Sequence, residues 1–158
     1  MARGSPGRNA TPTLEEARRR RADLHRALVE VEQAISGPAA GRLREWTDRV
    51  TRRLRQLGHA LEDHVAVTER PGGLYEEITA QAPHLAEKVR RVGAEHAVLR
   101  ESVSRLLDRL ESTPVGDAWP LQDARADVQR LLGRIVRHRQ VGADLVWEAY
   151  SVDIGSGD

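Results

Sequence analysis

Cysteine is absent from this 158-residue chain, and so is phenylalanine. Without a thiol there is no disulfide framework, no thiolate zinc site, no iron–sulfur cluster and no cysteine nucleophile. Aromatics make up 3% of the residues, too few for base-stacking or sugar-binding platforms. Neither sign of charge is in excess, since 25 basic and 24 acidic side chains leave a formal net charge of +1. That balance disfavours electrostatic capture of nucleic acid or of an anionic membrane as the main task. No apolar run approaches the roughly 20 residues that span a bilayer. The opening residues 1–12 also lack the apolar stretch of an export signal. A cytoplasmic protein with no membrane partner is expected. Hydrolase triads, phosphate loops and dinucleotide fingerprints have no candidates, so no catalysed reaction is assigned.

Lysine is nearly missing as well: among 25 basic residues only Lys88 is not arginine. Against that background the run Arg18–Arg21 carries little weight. Flanked by Glu15, Glu16 and Asp23, it reads as a solvated helix face.

What the chain has in quantity is helical periodicity. Residues 1–12 carry no pattern and read as a disordered tail, and 153–158 as a flexible end. Between them, residues 13–152 suit one domain. Thr13-Leu14-Glu15-Glu16 has the form of a capping box. A first helix then carries Leu14, Ala17, Leu24, Leu28, Val31 and Ile35 up to Ser36-Gly37-Pro38. A second carries Leu43, Trp46, Val50, Leu54, Leu57 and Leu61 and ends at Arg70-Pro71-Gly72-Gly73. Residues 74–80 form a short helical turn, and Pro83 suits the first turn of the next long helix. That helix carries Leu85, Val89, Val92, Leu99, Val103, Leu106 and Leu110. The last starts near Trp119-Pro120 and carries Leu121, Val128, Leu131, Ile135, Leu145, Ala149 and Val152. No segment alternates with period two. Four long apolar stripes with short connections predict an all-α, antiparallel up-down-up-down four-helix bundle. Trp46, Trp119 and Trp147 are expected to plug bundle ends or interfaces.

The informative positions are those where a stripe continues but the residue is not apolar. The second helix runs on to His64 and Thr68, the third passes through His96, and the fourth reaches His138 and Gly142 before resuming at Leu145. At 1.5 Å rise per residue, His96, His138 and His64 fall at about 24, 30 and 37 Å from one end of the bundle. They therefore share a zone. His25, on the flank of the first helix, comes out shallower at about 16 Å, and His59 points some 200° away from its stripe. Glu69, Glu95, Asp144 and Glu148 supply carboxylates nearby. Imidazoles and carboxylates converging from facing helices are what a bundle uses to hold a metal. Equally, core histidines can simply hydrogen-bond to neighbours such as Glu69, Glu95 or Thr68. Gly142, one turn from His138, leaves room for a ligand or for close helix packing.

On His64-Val65-Ala66-Val67-Thr68-Glu69, Glu95-His96 and His138-Arg139-Gln140-Val141-Gly142, the chain resembles the hemerythrin-like, HHE cation-binding bundles. The resemblance implies a non-heme iron or other transition-metal centre, held by His64, His96, His138 and Glu69, with His25 as a further candidate ligand. Where the family places carboxylates four residues after its histidines, this chain has Thr68 and Gly142. A single-ion site is therefore implied in place of a two-iron one. The other reading is a metal-free helical interaction or scaffold module, with a homo-oligomer or a protein partner on one helix face. Nucleic-acid binding through Arg18–Arg21 and Arg52–Arg55 ranks last.

Overall fold

A computed structural model describes residues 10–151, and it is all-helical. Four long helices, α1 (Pro12–Ser36), α2 (Leu43–Glu69), α4 (Ala86–Ser112) and α5 (Leu121–Ser151), are joined by a short helix, α3 (Leu74–Gln81). A 3₁₀ turn, Pro83–Leu85, leads from α3 into α4. Among the described residues there is no strand, only an isolated bridge between Val115 and Trp119. No helix there is long and apolar enough to cross a membrane. The expected tail and C-terminal end lie largely outside the described residues, as does Val152.

The helix starts and stops follow local chemistry, with one departure from expectation. Helix α1 begins two residues before the Thr13 capping box. Thr11 is the cap, its hydroxyl accepting from the Leu14 N–H at 3.1 Å, and Pro12 occupies the first turn. A proline there has the helical φ already set and no N–H to leave unpaired, so the chain nucleates earlier. Glu16, released from capping, pairs with Arg70 at 2.5 Å. At its other end α1 has no basic residue of its own. Arg125 from α5 donates instead to the carbonyls of Ile35 (2.8 Å) and Gly37 (3.0 Å), groups the helix itself cannot satisfy.

The turn after α2 is a glycine device. Gly72 has φ +72°, and a Cβ on Gly73 would sit 2.7–2.8 Å from the carbonyl oxygens of Arg70 and Val67. This tight reversal lays α3 beside the end of α2, and so brings Tyr75 to the interior.

Packing follows the stripes, with α1 against α2, α2 against α4, α4 against α5, and α5 against α1. The buried apolar residues form two clusters. The larger runs from Trp46 and Trp119 through Leu54, Leu61, Leu99 and Ile135. The smaller gathers Leu14, Val67, Ile78, Val92, Leu145 and their neighbours around α3. On α2, α4 and α5 the change from one cluster to the other falls where the stripes carry histidine.

Trp46 is fully buried, and its Nε1 donates to the Ile35 carbonyl at 3.4 Å. Trp119 is buried too, donating to Asp127 at 3.0 Å beneath the Arg109 guanidinium. Trp147, 74% exposed, plugs no bundle end within this chain. The two sites separate sharply in energy. Trp46→Ala should cost about 3–5 kcal/mol through the cavity it opens, whereas Trp147→Ala should stay within about 0.5 kcal/mol. Urea unfolding followed by circular dichroism measures both.

Candidate metal centre

The histidine stripe positions converge. His96 and His138 are buried and His64 is nearly so. Their rings stand edge-on to one another, with centroids 4.8–5.4 Å apart. The Nε2 atom of His138 lies 3.1 Å from that of His96 and 3.3 Å from that of His64. One ring nitrogen from each of the three lies within 4.8 Å of the others. Three separate helices thus bring Nε2 of His138 against Nε2 of both His96 and His64.

The far sides of two rings explain why. Nδ1 of His96 contacts Glu69 Oε1 at 2.8 Å, and Nδ1 of His138 contacts Glu95 Oε2 at 2.6 Å. A carboxylate only accepts, so each of these nitrogens carries the proton, an assignment made from the partners. In the neutral ring Nε2 is then a bare lone pair. Two such lone pairs face each other at 3.1 Å across His96 and His138. His64 differs: its Nδ1 is buried with no hydrogen-bond partner among the described residues.

Tyr75 is the residue that stripe reasoning overlooked. Its ring stacks on His96 at 5.7 Å and 17°, and its hydroxyl lies 3.2 Å from His96 Nε2. Burial, with Glu69 and Glu95 nearby, pushes the phenol pKa up, so Tyr75 keeps its proton and donates it to that lone pair. The only available signal was that α3 follows the Gly72-Gly73 reversal directly after the His64 segment.

Other candidates are dispersed. His25 is exposed, and its Nδ1 lies 3.2 Å from Arg139 Nη1, outside the three-ring group. It sits on the flank of α1 while the stripe residues Leu24 and Leu28 take the core. Glu69 reaches His96 from behind and does not join the Nε2 atoms. Asp144 is held by Gln140, and Glu148 by Lys88. His59 and His84 are exposed. Thr68 is buried, but its hydroxyl bonds back to the carbonyls of His64 and Val65.

A cavity of about 460 Å³ reaches the site from one side. His64, His138 and Tyr75 line it, and Gly142 does so without a side chain; a Cβ there would meet nothing within 4 Å. Arg21, assigned by sequence to a solvated face, is half-buried and lines the same space. Its position beside Leu24 on the helix surface turns it inward; Arg18, though exposed, also borders the cavity, while Arg19 is exposed.

Comparison with protein-family models, with curated proteins and with solved structures finds no match to this chain.

Burial lowers the His64 pKa from 6.5 to about 3, helped by the charges of His96, His138, Arg139 and Arg21. Burial also lowers that of His96, against the opposing pull of its Glu69 hydrogen bond. In the unfolded chain these imidazoles take up protons near 6.5, while in the folded one they resist. Stability is therefore level above pH 6.5 and is lost as pH falls toward 3, at a slope approaching about 1.4 kcal/mol per pH unit for His64 alone. Urea denaturation of chelator-treated protein at pH 7.5, 6 and 5 should show the loss, and His64→Gln should flatten it.

Proposed function

We propose that this chain is a hemerythrin-like, up-down-up-down four-helix bundle that binds a single divalent transition ion between His64, His96 and His138. The observation that carries the reading is the His96–His138 contact. Glu69 and Glu95 hold both protons on the outer nitrogens, and the inner nitrogens meet at 3.1 Å with no proton shared between them; an ion there takes the place of the Tyr75 hydroxyl on His96 Nε2. A shared cation turns that repulsion into two bonds.

The spacing supports it. Metal–imidazole bonds of about 2.0–2.1 Å in a tetrahedral site place nitrogens roughly 3.3 Å apart, against 3.1 and 3.3 Å for the two pairs that include His138, while the His64–His96 pair, within 4.8 Å, closes onto the ion. Carboxylates behind the imidazoles are the usual outer partners of such ligands; they set the tautomer and raise basicity. Three protein nitrogens leave a coordination position, and the cavity at His64 and His138 opens toward it. Imidazole suits iron, zinc and copper alike. Glu69 acts in this reading as the orienting partner of His96, and His25 takes no part.

The alternative, a metal-free interaction module, draws on Trp147, which stands 74% exposed, with half-exposed Val136 and Val141 elsewhere on the same helix. Large exposed aromatics are common anchors for partners. The two readings separate on metal. Chelator-treated protein titrated with zinc(II), or with iron(II) under anaerobic conditions, should take up one ion per chain and melt at higher temperature. His96→Ala should abolish uptake, and Glu69→Gln or Glu95→Gln should weaken it about ten- to a hundred-fold. No uptake, a melt indifferent to chelator and a concentration-dependent oligomer in light scattering would establish the interaction module instead.

A further inference from the structure

Three side-chain nitrogens are buried with no hydrogen-bond partner among the described residues: Arg21 Nε, His64 Nδ1 and Arg139 Nε. All three belong to residues lining the one cavity beside the histidine cluster. Among the described residues neither arginine makes an ion pair with a carboxylate, and Arg139 contacts His25. The two guanidiniums are close enough to repel each other and to act electrostatically on His64. Two half-buried like charges side by side, each with an unpartnered Nε donor, favour an anion between them.

The remaining walls are of another kind. Leu14, Ile78, Leu145 and Val146 line the cavity, and exposed Trp147 stands among its lining residues. Gly142 widens it. A mainly apolar chamber with a few convergent donors is the usual form of a small-molecule site. An inorganic anion would leave those walls wet, and a neutral oil would leave the arginines unanswered.

We infer that the cavity binds an apolar carboxylate, with its head group between Arg21, Arg139 and His64 and its hydrocarbon along the Leu14–Ile78–Leu145 wall. Planar guanidinium and carboxylate groups match in pairs of parallel hydrogen bonds, which gives arginine its preference for this anion. The site stands on the cavity and its arginines and does not require a bound ion.

The test uses decanoate with full-length, chelator-treated protein, so that metal binding plays no part. Calorimetry should show one saturable site, and the emission of Trp147 should shift on binding. Decanol and inorganic phosphate should each bind at least ten-fold more weakly than decanoate. The double variant Arg21→Gln/Arg139→Gln should lose at least ten-fold in affinity with an unchanged melting temperature. Gly142→Leu, whose Cβ meets nothing within 4 Å and which removes a helix glycine, should block binding in a protein that folds normally. Decanol binding as tightly as decanoate, phosphate binding more tightly, or an unaffected double variant would each overturn the inference, as would no decanoate binding at all.

Discussion

The protons on the outer nitrogens of His96 and His138 govern the interior of this protein. Each is held by a carboxylate, Glu69 at 2.8 Å and Glu95 at 2.6 Å. With them in place, the inner nitrogens have only lone pairs to offer one another. A hydrophobic core would have no use for such an arrangement, because buried polar groups that face without a shared proton cost free energy and contribute no bond. Tyr75 relieves one lone pair by donating to His96. His64 can relieve the other by donating to His138, but its own outer nitrogen then lies idle. The layer is one partner short.

That shortage is placed with care in the fold. Apolar packing continues on both sides of the histidines, from Trp46 and Leu61 on one side and from Leu14 and Ile78 on the other. The larger cluster alone spans α1, α2, α4 and α5, so the histidine layer is not needed to hold the helices together. Stability elsewhere makes room for a costly polar layer, the usual relation between a scaffold and a site that departs from good packing. The cavity beside it extends the same theme, since its unsatisfied arginine nitrogens and its imidazole share one space.

Much of this was legible in the chain. The stripes marked all four long helices, and the breaks in them singled out His64, His96 and His138 because each sits where Leu or Val would otherwise stand. The rise per residue then put the three in a common zone. Glu69 was legible as a possible histidine partner, although not which ring it would meet, and Glu95 as a neighbouring carboxylate. Arg21 was misplaced because it lies at the margin of a stripe, where a rotation of a few tens of degrees decides between core, flank and solvent; His25 lies on the flank of α1, outside the three-ring group. Tyr75 was out of reach, because α3 is only eight residues long and its placement depends on the Gly72-Gly73 reversal.

Periodicity is a property of one helix, and so the sequence alone determined which residues are helical and which face of each helix is turned inward. The relation between helices is of another kind. Which nitrogen of each ring points to its neighbours, which carboxylate stands behind it, and whether a cavity reaches the group all depend on the rotation and offset of packed helices. Those offsets amount to a few ångströms, comparable with the length of a hydrogen bond, and they come from the sum of many side-chain contacts. Only the tertiary structure could therefore decide that three imidazoles meet at one point, and that two arginines and an open space stand next to them.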